Sequence, residues 1–479
     1  MSAAYLLACL VLGILPGRKQ SDSAAGYVAG DRTLGLLVMY FITGATIFSA
    51  FAFLGGPGWA YKRGVAAFYI LGYGALGFLP FYFLGPRAAR LGRRYGFITQ
   101  AEMIAARYQR PAIAGVMALI SAAAFVPYLA LQMKGAGYVL SSVTRDAVPV
   151  WAGAAVVYAV VLLYVVRSGV MGVGWTNTFQ GILMMGLAWG LGLYLPQRLY
   201  GGVRAMFTRI AAERAHLLVP PGLTKQGTPW SWGGYSSAVL VSTIGFSAWP
   251  HLFMKAFSAR DERTIRRTVV LYPTFQIFLV PLFLIGFAGV LFGAAPPRAD
   301  QILTFMLMHM ELPSLVVGLF CAGALAASMS SGDAIGHAAA SILVRDGLIT
   351  ALGRKLDPVA ERRAIRWVVL GVMLAAYAVA IAYRGSLVKL LLTTYGAVVQ
   401  FAPPLVATLY VRRVTGGAVL AALVAGALLT GALVLWPSLA PWAVHPGLYG
   451  LGANVLVLLL ARGRASSHAE EYLAVAGGD

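Results

Sequence analysis

Apolar residues run through this chain in long blocks that are hydrophobic on every face. VWAGAAVVYAVVLLYVV (150–166) has neither the two-residue alternation of a half-buried strand nor the polar stripe of a surface helix. Blocks of this kind recur from one end to the other, and about 20 such residues cross roughly 30 Å of hydrocarbon as a helix. Thirteen spans are predicted, at 1–16, 33–61, 66–86, 110–141, 148–166, 174–197, 233–255, 268–294, 314–344, 366–383, 387–411, 415–437 and 443–461. They are called spans 1 to 13 below. A membrane barrel is excluded, because its strands would alternate lipid-facing and lumen-facing residues.

Two spans carry interruptions. Span 2 contains TGATIFSAFAFLGGPGW (43–59), where Gly55, Gly56, Pro57 and Gly58 oppose a regular hydrogen-bond ladder; span 7 contains TIGFSAWPH (243–251), with Gly245 and Pro250. Spans 2–6 and 7–11 are two sets of five, and each interruption falls in the first member of its set. Matching breaks in two halves point to inverted repeats around a midplane site, although Gly and Pro are also common in membrane helices generally. The layout is then a peripheral span and loop (1–32), a first repeat (33–197), a long external loop (198–232), a second repeat (233–411) and C-terminal peripheral spans with a short tail (412–479).

Composition agrees: 59% of the 479 residues are hydrophobic, 11% are charged, and the mean hydropathy is +0.78. The net charge of +21 raises the question of a nucleic-acid partner. Most of the 37 Lys and Arg residues fall on one side of the spans when the N-terminus is placed outside, so the basicity encodes orientation in a cell membrane, with the C-terminus cytoplasmic. The basic segments at 85–111 and 255–267 are expected at lipid headgroups. Cys9 and Cys321 lie in apolar blocks and make neither a disulfide framework nor a metal motif. The first block lacks a basic leader and reads as an anchor, and the tail after Arg464 is too short for an output domain.

Span 9 holds the most unusual chemistry, ALAASMSSGDAIGHAAASILVRD (324–346). Its midpoint falls near Ser328, so the polar patch starts at the bilayer centre. Asp333 is the one acid that must sit well inside a span, and a carboxylate there costs about 2.5–3.5 kcal/mol on insertion scales. Ser330, Asp333 and His337 share one helical stripe. A serine hydrolase is excluded, because Ser330 and His337 are about 10 Å apart along the axis and no GxSxG surrounds either serine. Two readings remain open for Ser330 and Ser331, close helix packing through small residues or ion binding through hydroxyl oxygens. Close packing does not require Asp333. Lys134 is the single basic residue deep in a span, and either snorkels or pairs, or contacts a substrate carboxylate.

The segments DRTLGLLVMYFITGATIFSAFAFLGGPGWAYKRG (31–64), WTNTFQGI (175–182), WPHLFMKAFSARDERTIRR (249–267) and AASMSSGDAIGHAAASILVRD (326–346) resemble the sodium:solute symporter family over nearly the whole chain. The resemblance implies an all-α integral membrane protein of about thirteen helices on a LeuT-like five-plus-five inverted repeat. It would import a small organic solute with sodium, by alternating access. It also implies a sodium site made of the carbonyls of Ala45, Phe48 and Ala327 with the hydroxyls of Ser330 and Ser331. Where many members carry Asp after Trp-Thr, this chain has Asn177, and where members with a second sodium site use Ser or Thr, it has Asp333; together they are expected to serve a second ion position or the exit path. Gln132, Lys134, Trp249, Tyr395 and Gln400 are the candidate substrate contacts, with a carboxylate or amino acid favoured. His251 is expected to be a satisfied structural histidine. The expected partners are a small-molecule substrate, sodium ion and the lipid bilayer, with no nucleic acid and no enzymatic activity. Proton coupling through Asp333, and a non-transporting sensor or channel, are the alternatives.

Overall fold

The computed structural model describes residues 2–16, 23–310, 312–383, 394–461, 463 and 467–478. Among these the chain is helical, and β-structure is confined to two isolated bridges. Six helices are individually long and apolar enough to cross a membrane, eight counting two bent pairs, with shorter apolar helices at Ser2–Ile14 and Pro446–Leu460. The protein is a multi-pass, all-α membrane protein. The beginning of predicted span 11 (387–393) lies outside the described residues.

Predicted spans 5 and 6 are the two arms of one helical segment, Val150–Tyr200, that turns at Gly169 (φ 54°, ψ −143°). The arms fold back on each other. Tyr164 and Thr176, on opposite sides of the turn, both donate to Asp333 Oδ2, at 2.7 and 3.3 Å, whereas twelve residues of straight helix would separate them by about 18 Å.

Both predicted interruptions exist as bends. Leu36–Ile47 meets Phe51–Gly77 at 54°, and Trp232–Phe246 meets Pro250–Ser258 at 41°. In span 7 the break falls where Pro250 predicts it, with the proline opening the second half-helix. In span 2 the glycine–proline cluster is not the break. The ladder fails earlier, at Phe48 (φ −78°, ψ 66°), and helical geometry continues through Gly55–Gly58. A wide π-turn, Phe51–Gly55, leads into Pro57 near the start of the next helix, where a missing amide hydrogen costs little. Gly58 serves close packing, since a Cβ there would lie 2.8 Å from the Ala299 carbonyl oxygen.

The start of broken span 2 and the end of broken span 7 are joined through backbone. Leu34 N donates to Ser258 O (3.1 Å) and Arg260 N to Leu34 O (3.0 Å). The basic segment 255–267 therefore does not lie wholly at a headgroup surface. Lys255 is buried within the second half-helix of span 7, because that tether draws its first turn into the bundle. Asp346 is a second fully buried acid; it accepts from Thr99 Oγ1 (2.5 Å), beside Arg345, which pairs with Glu102 (2.6 Å) and Glu361 (2.8 Å).

Candidate functional site

The break in span 2 redirects four consecutive backbone amides. Ser49 N bonds Ile47 O (2.8 Å) instead of Ala45 O, and Ala50 N bonds Gln132 Oε1 of span 4 (2.9 Å) instead of Thr46 O. Phe51 N turns to Ser49 Oγ (3.1 Å), and Ala52 N to Ser49 O (2.9 Å) instead of Phe48 O. The carbonyls of Ala45, Thr46 and Phe48 thereby lose their helical amides. Buried carbonyls need partners.

Span 9 supplies them for two of the three. Ser330 Oγ donates to Ala45 O (2.9 Å), with Ala327 O of its own helix at 3.4 Å, and Ser331 Oγ donates to Thr46 O (2.6 Å). All of these residues are buried, both serines completely. The predicted residues Ala45, Ala327, Ser330 and Ser331 thus converge, with Phe48 at the break itself. Thr46 is the member that sequence reasoning missed; its contribution is a backbone oxygen, which leaves no side-chain signature. Hydroxyls turned from donor to acceptor, together with released carbonyls, make a set of hard oxygen ligands without formal charge. That set fits a dehydrated alkali cation and no transition metal. Among the described residues no group of three or more His, Cys, Asp or Glu side chains forms a metal cluster.

Asn177 of span 6 ties the two helices together. Its Nδ2 donates to Ser330 O (3.1 Å) and to Thr46 Oγ1 (3.2 Å), which fixes the amide so that Oδ1 is turned away, buried and without a partner. Asp333 lies close by on span 9. Its Oδ2 accepts from Tyr164 and Thr176, while Oδ1 is buried and unpartnered. Asn177 and Asp333 therefore each hold a buried oxygen without a partner, and unsatisfied buried oxygens of this kind carry a desolvation cost of about 1–3 kcal/mol each.

A small cavity of about 10 Å³, room for one water, lies beside the break. Its walls include Ile47, Phe51, Tyr73, Tyr128, Trp249 and Tyr395. Trp249 packs on Tyr395 and Tyr128 with ring centroids 5.5 and 5.3 Å apart. Two of the predicted substrate contacts thus share one aromatic pocket. His251 also lines it, and contrary to expectation it is not a satisfied histidine: the ring is buried and Nδ1 has no partner. Gln132 caps Ala50 from span 4 and accepts Ser328 Oγ through its backbone carbonyl (2.6 Å), leaving Nε2 unpartnered.

The other two candidates are engaged elsewhere. Gln400 Nε2 reaches Gly396 O, Thr430 Oγ1 and Gly447 O at 3.1–3.2 Å, with Asn454 Nδ2 donating to its carbonyl oxygens, which joins span 11 to spans 12 and 13. Lys134 donates to the Tyr383 backbone carbonyl and stands 5.6 Å from the Tyr383 ring centroid. Pairing at the end of span 10 accounts for this lysine. Lys134→Met is expected to leave the KM of a transported carboxylate within about twofold, less than 0.5 kcal/mol, and to lower the thermal midpoint instead. A KM rise above tenfold at unchanged sodium affinity would restore it as a substrate contact.

A sequence profile of the sodium:solute symporter family matches residues 27–426. The chain is 28% identical over 429 residues to an uncharacterised Bacillus subtilis symporter, YhjB, covering 88% of this chain and 85% of that one. It is 25% identical to the sodium/pantothenate symporter of Escherichia coli (90% and 89% covered) and 23% identical to a Staphylococcus aureus sodium/proline symporter (91% and 85%). Among solved structures, a substrate-bound, outward-open Na+-coupled sialic acid symporter superposes with a TM-score of 0.78 at 18% identity, covering 96% of this chain and 95% of that one. A nucleobase-cation-symport-1 transporter in a closed conformation superposes with a TM-score of 0.60 at 14% identity (94% and 98%). With a profile match over most of its length, full-length symporter relatives and a shared transporter fold, the chain belongs to the sodium:solute symporter family.

Proposed function

We propose that this protein is a sodium-coupled symporter that imports a small carboxylate or amino acid across the cell membrane by alternating access. The observation that carries the sodium assignment is the meeting of the Ser330 and Ser331 hydroxyls with the carbonyls freed at the break, Ala45 and Thr46. Phe48 and Ala327 would complete the ligand set. A cation there links span 2 to span 9, and its preference for the linked arrangement is the most that the gradient can contribute to moving the carrier. The pantothenate and proline symporters among the relatives carry carboxylate-bearing solutes, which favours that substrate class. With the N-terminus outside, Asp333 and Asn177 lie inward of this site, and their free Oδ1 atoms are a second ion position on the exit path.

The test is uptake into proteoliposomes of radiolabelled pantothenate, proline and pyruvate, driven by an inward sodium gradient or by an equal potassium gradient. Saturable accumulation of at least one probe with sodium alone is expected. Accumulation driven by a pH gradient in sodium-free buffer, and lost in Asp333→Asn, would establish the proton-coupled reading, for which the unpartnered Asp333 oxygen is the motivating feature.

A further inference from the structure

Inward of the serine site, span 9 and the half-helix of span 7 that packs against it together carry four buried titratable side chains, and the coupling just described uses only one of them. His251 and Lys255 are one turn apart on the inner half of span 7, and Asp333 and His337 are one turn apart on span 9. All four are buried, with relative exposures of 2, 5, 0 and 4%. His337 is accounted for: its Nε2 meets the Tyr27 carbonyl at 3.0 Å and its ring packs on Tyr27. Lys255 is not. Among the described residues no carboxylate lies within ion-pairing distance of its ammonium, yet it sits in electrostatic reach of Asp333 and of both histidines.

A buried lysine and a buried aspartate with one free oxygen, which feel each other's charge but form no ion pair, are each costly alone. Lysine carries its charge on a flexible four-carbon stem, so the ammonium can travel while its helix stays in place. Its base is also coupled to the ion site. The half-helix bearing Lys255 is joined by the Leu34–Ser258 and Leu34–Arg260 hydrogen bonds to the start of span 2, the helix that presents Ala45 and Thr46.

We propose that Lys255 is a resident competitor cation for the inner ion position: its ammonium pairs with Asp333 Oδ1 when no sodium is there and is displaced when sodium arrives. The inference rests on the reading of Asp333 as an ion ligand. Competition of this kind weakens sodium binding at the inner position, which favours discharge toward the cytoplasm, and it keeps the emptied carrier neutral as it returns. Lys255 here is a positioning and affinity-setting residue and never touches the solute. The other charged or titratable groups near this cluster are Tyr5, Cys9, Tyr158 and Tyr164 around Asp333, and Tyr27 with Arg362 and Arg366 around His337; none places a second mobile cation beside the Asp333 oxygen.

The test is the thermal unfolding midpoint of the purified full-length protein, titrated with sodium chloride against choline chloride at constant ionic strength. The wild type is expected to be stabilised by sodium with a definite half-saturating concentration. Lys255→Met and Lys255→Gln should lower that concentration at least fivefold, Lys255→Arg should leave it within twofold, and on an Asp333→Asn background Lys255→Met should have no further effect. An unchanged or raised half-saturating concentration in both neutral variants overturns the proposal. So does an equal effect of Lys255→Met with and without Asp333. If neither neutral variant folds alone, folding of the Lys255→Met/Asp333→Asn double variant supports the charge balance, and its failure to fold overturns it. Absence of any sodium-specific stabilisation in the wild type would instead defeat the sodium reading itself, so the two failures are distinguishable.

Discussion

Replacing Ser330 and Ser331 together with alanine is expected to abolish sodium-stimulated uptake and the sodium-specific rise in thermal midpoint, while the protein still folds. Each hydroxyl spends its proton on a carbonyl that the break has cut loose, Ala45 O at 2.9 Å and Thr46 O at 2.6 Å. Alanine fills nearly the same space, so packing changes little, and each orphaned carbonyl costs about 1–3 kcal/mol. The ion loses more, since two of its oxygens vanish in a site where neither side chain is exposed and water cannot readily replace them. Each single variant is expected to raise the half-saturating sodium concentration at least tenfold, about 1.4 kcal/mol of binding. Ser331→Ala should be the more severe, because Ser330 retains the Ala327 carbonyl as a neighbour while Ser331 alone reaches Thr46. The measurements are initial uptake rate and thermal midpoint as functions of sodium. A double variant with sodium dependence within threefold of wild type would show that the serines only pack the two helices together, the reading that the small-residue spacing of span 9 also allows.

The sequence made legible those parts of the site whose chemistry lives in side chains that are out of place in lipid. Asp333 and the paired serines in a span of alanine and glycine could hardly be overlooked, and Pro250 marked its break correctly because a proline's missing amide is a local fact. The parts that stayed hidden are backbone acts or tertiary ones. The span 2 break lies at Phe48 and not at the glycine–proline cluster, because it is created by capture: Gln132 Oε1 takes the Ala50 amide and Ser49 takes those of Phe51 and Ala52. No propensity of Phe48 announces this. Thr46 enters through its carbonyl, so its side chain carried no clue. Lys255 reads in the sequence like its basic neighbours at the headgroup surface, whereas in the fold it is buried beside the tether between Leu34 and Ser258. Tyr164 and Thr176 looked like ordinary span residues, and only the reversal between them delivers both to one carboxylate.

That reversal leads to the second large effect, at Gly169, where substitution by alanine is expected to impair folding more than any comparable change along Val150–Tyr200. The backbone there has φ 54° and ψ −143°, a conformation that costs an L-residue about 1–2 kcal/mol or more. The space is closed as well. A Cβ at this position would stand 2.3 Å from the Tyr27 carbonyl oxygen and 2.7 Å from its ring. Tyr27 cannot step aside cheaply, since its hydroxyl is fixed on Val165 O (2.7 Å) and its carbonyl holds His337 (3.0 Å). Either the turn opens, separating Tyr164 from Thr176 at Asp333, or Tyr27 moves and releases His337. Strain and displacement together are expected to cost roughly 3–5 kcal/mol, in the range reserved for identifiable structural faults. Gly186 supplies the control, a glycine of the same segment with open space around its Cα, where alanine should be neutral or stabilising by up to about 1 kcal/mol. Thermal unfolding and the monodisperse yield of the two variants in detergent decide the matter. A Gly169→Ala protein as stable as Gly186→Ala would mean that the two arms do not need this turn to meet at Asp333.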